Sequence, residues 1–391
     1  MAYEFSLGDI AFLKSGEGAD ALDAASDLLL TERSLISEID GLRRRWPQFA
    51  AAVAETVRLR RKAAAKLPGA HDWLFTDDAA QQATPTLVGK HRAQRLRGRA
   101  IHDVTCSIGA DLYELAKTAS VAVGSDLDPV RLAMAAANVP GAAVARADAL
   151  RPCTRDAVLV ADPARRTGAR RTSDPSALQP PLPSLLSAYK GRDFVIKCAP
   201  GLDYRELNWE GETEIVSLDG GVRECTLWSP GVTELHSQTR ATVLNSDGSS
   251  WSISSMDPCV AAQRAPGRFI IDPDGAVVRA GLVRHYAARH GLWQLDPHIA
   301  YLTGDVLPPG TRGHEILATA PLREKQIRRE LAARECGSLE ILVRGVNLDP
   351  DAFRKRLKLR GPRALSMVVT RIGERAAAFI CLPHAPSAGA R

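Results

Sequence analysis

Over the first 95 residues apolar positions recur every three or four, in "DALDAASDLLL", "SLISEIDGLRRRW" and "FAAAVAETVRLRRKAAAKL", with almost no interior glycine or proline. That spacing predicts a helical region over residues 1–95. From about residue 99 the rhythm changes to short apolar runs, "AIHDV", "VAVGSD", "AAVARAD", "DAVLVAD" and "DFVIKCA", alternating with helical stretches at 110–118, 129–138 and 176–188. Such alternation predicts an α/β domain over 96–232, built on a parallel sheet with right-handed crossovers. The domain closes with "ETEIVSLDGGVRECTLWS", two alternating runs about Asp219-Gly220-Gly221, a hairpin that makes the last two strands antiparallel.

Residues 238–255 read as a second hairpin around "NSDG", and Asp272–Gly291 as one capped helix ended by its glycine, so 233–312 forms a bridging segment. "LPPGTRGH" at 307–314 has the composition of a linker. Beyond it, "HEILATA", "REKQIRRELAAR", "LEILVRG", "DPDAFRKRLKL", "ALSMVVTRI" and "AAAFICL" give a β-α-β-α-β-β pattern, a small α+β domain over 313–384. Residues 385–391, "APSAGAR", predict a disordered tail.

Composition adds three constraints. No run of about 18 apolar residues occurs and the start lacks a signal-peptide pattern, so a cytoplasmic protein that keeps off membranes is expected, with a monomer favoured. Seven scattered cysteines form no CxxC pair, which predicts reduced thiols and no metal site. The formal charge is only +6, but arginine and lysine cluster in "LRRR", "VRLRRKAAAK", "KHRAQRLRGR", "ARRTGARR" and "RKRLKLRGPR". Clusters of this kind suit a polyanion such as RNA, or else are solvated helix faces.

The chemistry concentrates at strand ends. "DVTCSIGADLYELA" runs from a strand through a tight loop into a helix, with one glycine, Gly109, and two acids, Asp103 and Asp111. A pyrophosphate needs several glycines and free amides, and those acids would repel it. S-adenosylmethionine (SAM) carries no phosphate and a positive sulfonium, so the loop suits SAM and disfavours NAD. Asp126, about 23 residues beyond Asp103, ends the next strand where an acid accepts from ribose hydroxyls, with Asp128 as the near alternative. Asp148 follows the third strand, placed for the adenine amino group, and Asp162-Pro163 ends the fourth, beside the expected methyl position. Helix capping explains any one of these acids, but less readily the set.

These segments, with "DWLFTDDAAQQATPTLVGKHRAQRL", "GSDLDPVRLAMAAAN", "VLVADPARRTGARR", "VRAGLVRHYAARHGLWQLDPHIAYLTGD" and "RGVNLDPDAFRKRLKLRG", resemble bacterial class I SAM-dependent methyltransferases that carry a C-terminal THUMP-like domain. The resemblance covers nearly the whole chain. It implies a seven-stranded Rossmann-like domain between a helical region and a THUMP-like α+β domain, and methyl transfer to RNA, either tRNA or rRNA. It also implies SAM contacts by Asp103, Cys106, Gly109, Asp111, Asp126 or Asp128, and Asp148. The family's loop usually has glycine where Ser107 stands.

Asp162, Pro163 and Arg165 are the candidate catalytic residues, with Arg92, Arg166, Lys197, Arg354, Arg356 and Arg360 on the substrate side. Enzymes that methylate an exocyclic amine pair a carboxylate or amide oxygen with an aromatic ring in this fourth loop. Here Asp162-Pro163-Ala164-Arg165 keeps the oxygen and lacks the ring. Arg165 or Arg166 could stack or hold a phosphate, and Trp209, Trp228 or Tyr204 could supply a ring from elsewhere. Cys198 next to Lys197 raises a second chemistry, a cysteine nucleophile for carbon-5 methylation, against which stands the ordinary buried cysteine. A protein or small-molecule acceptor, or a non-catalytic SAM- and RNA-binding protein, remain the competing readings.

Overall fold

The computed structural model describes residues 3–165, 174–201, 203–207, 209–233, 238–260 and 262–383. The chain forms two compact units, Met1–Thr213 with Glu224–Ser237, and Glu214–Arg223 with Gln238–Arg391.

The first unit opens with α1 (Leu7–Leu13), α2 (Gly16–Ser26), α3 (Leu35–Arg43), α4 (Ala50–Ala63), α5 (Asp77–Gln82) and α6 (Thr86–Arg95). Local chemistry sets their starts. Ser6 and Asp9 form a reciprocal capping box on α1, and the Thr76 hydroxyl accepts from the Ala79 amide at α5. These helices bury Ile10, Ala21, Trp46 and Val53 in the same core as Ile108 and Met134 of the following domain. Asn138 fastens the two: it accepts from the Leu74 amide at 2.8 Å and donates to the carbonyls of Leu74 and Ile108 at 3.0 and 2.9 Å. The helical region is therefore packed into the unit that holds the sheet.

Next along the chain come β1 (Ala100–Asp103), α7 (Ala110–Ala116), β2 (Val121–Asp126), α8 (Pro129–Asn138), β3 (Ala143–Arg146), β4 (Val158–Ala161), β5 (Ala164–Arg165), β6 (Leu178–Gln179), α9 (Leu182–Ala188), β7 (Phe194–Cys198), β8 (Glu212–Leu218) and β9 (Gly221–Trp228). β1 pairs in parallel with β2 and β4, β2 with β3, and β4 with β7, while β9 runs antiparallel to β7. Every residue of β4 is buried, as a parallel strand covered on both faces requires. Asp219 and Gly220 both have positive φ, 51° and 75°, the conformation a tight two-residue hairpin turn demands.

After these come β10 (Gln238–Leu244), β11 (Ser250–Ser254), β12 (Phe269–Ile271), α10 (Gly275–Arg279), α11 (Val283–His290), β13 (Trp293–Gln294), β14 (Leu302–Gly304), β15 (Gly313–Pro321), α12 (Glu324–Ala332), β16 (Cys336–Arg344), α13 (Pro350–Leu357), β17 (Arg363–Ile372) and β18 (Arg375–Cys381). The strand order of the larger sheet is β11-β10-β8-β9-β7-β4-β1-β2-β3. It therefore has nine strands, not the seven expected. The two extra strands are the "NSDG" hairpin, whose alternation predicts a hairpin without saying which edge it joins. The single helix expected over 272–291 is two, because Gly281 at φ 74° breaks it. The helix expected from 176 begins only at Leu182, since Leu178–Gln179 pair with Ala164–Arg165 and two prolines follow.

In the second unit the smaller sheet has the order β13-β14-β12-β15-β18-β17-β16. Its C-terminal part follows the β-α-β-α-β-β order read from the sequence. Ile327 and Leu331 of α12 and Phe353 and Leu357 of α13 pack over Leu339, Ile341, Met367 and Val369. Among the described residues no helix is long and apolar enough to cross a membrane.

Candidate active site

In the first unit the C-terminal ends of β1, β2 and β4 open on a cavity of about 650 Å³. This is where open α/β sheets bind ligands, and the volume lies within the roughly 300–1,000 Å³ of small-molecule sites. Its walls are the β1–α7 loop, Asp126 to Asp128, Ala147 to Leu150, Asp162, the α5 face with Asp78 and Gln82, and Gln179 to Pro181.

The β1–α7 loop turns on two residues with positive φ, Ser107 at 49° and Gly109 at 87°. Gly109 donates to the Cys106 carbonyl at 2.7 Å, and a Cβ there would lie 2.7 Å from the Val139 side chain. Both conformation and space demand glycine at 109. Ser107 carries the conformational cost without the glycine. Ser107→Gly is expected to stabilise the protein by about 1 kcal/mol, read as a raised thermal midpoint, because a left-handed residue with a Cβ costs on that order. A lowered midpoint would contradict this account.

Asp126 braces the loop: one carboxylate oxygen accepts from the Ser107 amide at 3.0 Å, the other from the Asp128 amide at 2.9 Å. Asp128 caps α8 through the amides of Val130 and Arg131 at 2.8 and 3.2 Å, with Pro129 opening the helix. Asp148 lines the cavity and accepts from the Leu150 amide at 2.9 Å. Asp103 is 3% exposed, does not border the cavity, and accepts from the Thr105 amide at 3.2 Å. Burial, reinforced by Asp111, pushes its carboxyl well above the usual range. Cys106 borders the cavity but is buried, and burial raises its thiol strongly.

Behind the cavity runs a chain of charges of alternating sign. Glu224 Oε1 meets Arg92 Nη2 at 2.5 Å, and Arg92 Nη1 meets Asp111 Oδ1 at 2.6 Å. Asp111 Oδ2 accepts from the Thr84 hydroxyl at 2.9 Å, and that hydroxyl accepts from Lys197 Nζ at 2.8 Å. Lys197 Nζ reaches Asp162 Oδ2 at 2.5 Å. Burial opposes the charges of Arg92 and Lys197, but the facing carboxylates outweigh it and raise both pKa values, holding guanidinium and ammonium protonated. Burial likewise works against ionised Asp111, yet Arg92 and Lys197 hold it below its usual range. Asp162 ends the chain with its side chain 40% exposed and on the cavity wall. Its amide donates to the Thr105 hydroxyl at 2.7 Å, which fixes the loop after β4.

Arg92, placed by sequence on the substrate side, is 2% exposed with both amino groups on carboxylates, so its charge serves the acids. Pro163 is buried, Arg165 ends β5, and Arg166 lies outside the described residues. Cys198 is 5% exposed, and burial pushes its thiol well above the usual range, the opposite of an activated nucleophile. The rings proposed to replace the missing aromatic are elsewhere. Trp228 is 1% exposed beneath Arg95, Trp209 packs on Phe194, and none of Tyr204, Trp209 and Trp228 lines the cavity. Thr84, Thr105 and Glu224 also belong to the site, and none of them lies in a motif that singles it out. Thr84 lies in the polar and aromatic segment before β1, which was the available signal.

Several basic runs are structural ties. Arg61 donates to the carbonyls of Ser26, Leu28 and Leu29 at the end of α2 and just past it, and Arg60 to those of Asp72 and Trp73. In the second unit Arg354 donates to the Leu339 carbonyl at 2.7 Å and pairs with Asp351 at 2.6 Å. Arg356 is 57% exposed with Glu324 3.6 Å away, and Arg360 is exposed. Among the described residues no group of three or more histidine, cysteine, aspartate or glutamate side chains could hold a metal ion.

This fold, a strand-end cavity of acids beside a brace of loop amides, is that of a methyltransferase. The crystal structure of a candidate methyltransferase from Porphyromonas gingivalis W83 superposes with a TM-score of 0.73 over 97% of this chain and 99% of that one, at 17% identity. The THUMP domain-like family matches residues 311–383, and a domain of unknown function (DUF8688) matches 6–63. Proteins of two Mycobacterium tuberculosis strains, CDC 1551 and H37Rv, each named as an uncharacterized S-adenosylmethionine-dependent methyltransferase, are 52% identical over 359 residues, 88% of this chain and 99% of theirs. The chain belongs to this family of SAM-dependent methyltransferases, with a THUMP-like domain at its C-terminus.

Proposed function

We propose that this cytoplasmic methyltransferase passes the methyl group directly from the SAM sulfonium to a nitrogen of an RNA base, in tRNA or rRNA. The observation that carries the RNA acceptor is the THUMP-like domain at 311–383, since true THUMP domains deliver RNA to modifying enzymes. The nitrogen acceptor rests on Asp162. One of its oxygens is held by Lys197, and the side chain opens on the cavity, able to accept a hydrogen bond from an N–H. The carbon-5 alternative needs a thiolate, the form that burial disfavours at Cys198.

The cavity fits SAM. Its volume suffices, Gly109 keeps the loop close to α8, and the donor set is carboxylate and amide rather than the phosphate-binding kind. SAM supplies an electrophilic methyl group. Asp126 would hold the ribose hydroxyls and Asp148 the adenine amino group, with the 105–110 turn and Asp111 around the methionine end. Asp103 supports that turn from behind. The protein's contribution is alignment and exclusion of water.

RNA affinity is expected to fall with salt, and Arg356→Ala and Arg360→Ala each to flatten the slope of log K against log salt by about 1. Filter binding of total RNA across a salt series reads this. Affinity without salt dependence, or unchanged slopes in both variants, would count against this surface. Arg354 is tied to its own domain, which leaves Arg356 and Arg360 as the informative positions.

A further inference from the structure

The charge chain contains a choice. Lys197 Nζ has two carboxylates within reach, Asp162 Oδ2 at 2.5 Å and Asp111 Oδ2 at 4.0 Å. Asp111 is the more deeply buried, 12% exposed against 40%, so the ammonium would bind it more strongly in direct contact. What stands between them is Thr84, 4% exposed, in the middle of the α5–α6 connection. Its hydroxyl spends its proton on Asp111 and its lone pair on Lys197. A hydroxyl both donates and accepts, so one oxygen serves both partners. Arg92 takes the other oxygen of Asp111, and Glu224, itself receiving the Thr226 hydroxyl at 3.0 Å, holds Arg92 in place.

We propose that Thr84 is a positioning residue for methyl transfer: its hydroxyl separates Lys197 from Asp111 and so keeps the ammonium on the Asp162 carboxylate that meets the acceptor. The role rests on the reading of Asp162 given above. It also makes the connection between α5 and α6 part of the active site, since Thr84, Asp78 and Gln82 come from one short segment. Burial pushes the Asp162 carboxyl above its usual range, and the groups facing it are Lys197 from β7, Asp111 from α7, Arg92 from α6 and Asp103 from β1. Of these only Lys197 touches it, so loss of that contact leaves Asp162 facing two acids and a guanidinium already engaged by Asp111 and Glu224.

The sign of the effect follows. In Thr84→Val the volume stays and the hydroxyl goes, so Asp111 Oδ2 and Lys197 Nζ both lose their shared partner, the ammonium is drawn toward Asp111 4.0 Å away, and Asp162 loses part of its neutralising contact. Its pKa rises, so the acid limb of the rate profile moves to higher pH by about one unit. kcat at neutral pH falls roughly tenfold to a hundredfold, while the SAM Kd stays within about threefold, since Thr84 does not line the cavity. Thr84→Ser keeps the hydroxyl and is expected to recover the acid limb.

The test measures labelled methyl transfer from SAM into total RNA and total protein of a strain lacking the gene, over a pH series, for wild type, Thr84→Val, Thr84→Ser and Asp162→Asn. Crystal structures of the Thr84 variants show where Lys197 lies, and SAM titration checks their fold. Should Thr84→Val lose SAM binding, Thr84→Ala carries the same expectation. Lys197 on Asp111 with a raised acid limb supports the proposal. Lys197 still on Asp162, or an unmoved acid limb while Asp162→Asn is inactive, overturns the role of Thr84 alone. Full activity in Asp162→Asn removes the reading of Asp162 itself.

Discussion

Asp162→Asn is expected to lower kcat by about 10²- to 10⁴-fold, the range for losing a group that handles a proton in the transition state. SAM affinity should change little. The carboxylate ends β4, its amide is fixed by Thr105, and one oxygen is held by Lys197. Asparagine keeps the size and one acceptor oxygen but loses the charge that stabilises the cation forming on a methylated nitrogen. It also leaves the Lys197 ammonium with a weaker partner. Calorimetric titration with SAM and single-turnover transfer separate the two steps. A loss confined to SAM binding, with kcat intact, would place Asp162 on the cofactor side.

Arg92→Met should cost about 3–5 kcal/mol of stability, the usual result of removing one member of a buried ion network. Arg92 is 2% exposed, and its loss leaves Asp111 and Glu224 buried without their shared guanidinium. The change needs no cavity to act, because methionine fills much of the same volume. Urea unfolding of the first unit, followed by tryptophan fluorescence, reads the effect. Arg92→Lys should lie between, because an ammonium can satisfy one carboxylate well but not span both. A cost under about 1 kcal/mol for Arg92→Met would mean that the two acids take up protons or find other partners.

Much of this arrangement was legible in the sequence, and the parts that were not have a common cause. Period-two alternation and strand-end acids are local signals, and they placed β1, β2, β4 and β7 and the loop carrying Gly109. The pairing of β10 onto β8 is a long-range choice that alternation does not encode, hence nine strands rather than seven. Asp126, Asp148 and Asp162 were read as cavity residues because each ends a strand, and all three border the cavity. Asp103 also ends a strand, but its side chain points behind the loop, which no spacing rule reveals. Arg92 belongs to the basic run "KHRAQRLRGR", which as sequence suits a substrate-side charge. Its partners, Asp111 and Glu224, lie 19 and 132 residues away, and only the folded chain brings them together. Thr84 was missed for the same reason: a single hydroxyl has no sequence signature, and its two partners come from α7 and β7.

The most direct test of the central claim is transfer of labelled methyl from SAM into total RNA and total protein of a strain lacking the gene, with Asp162→Ala as the control. The account predicts label in RNA, absent with Asp162→Ala, and recovered on digestion as an N-methylated nucleoside. Label in protein alone, or label in RNA that survives Asp162→Ala, would contradict it.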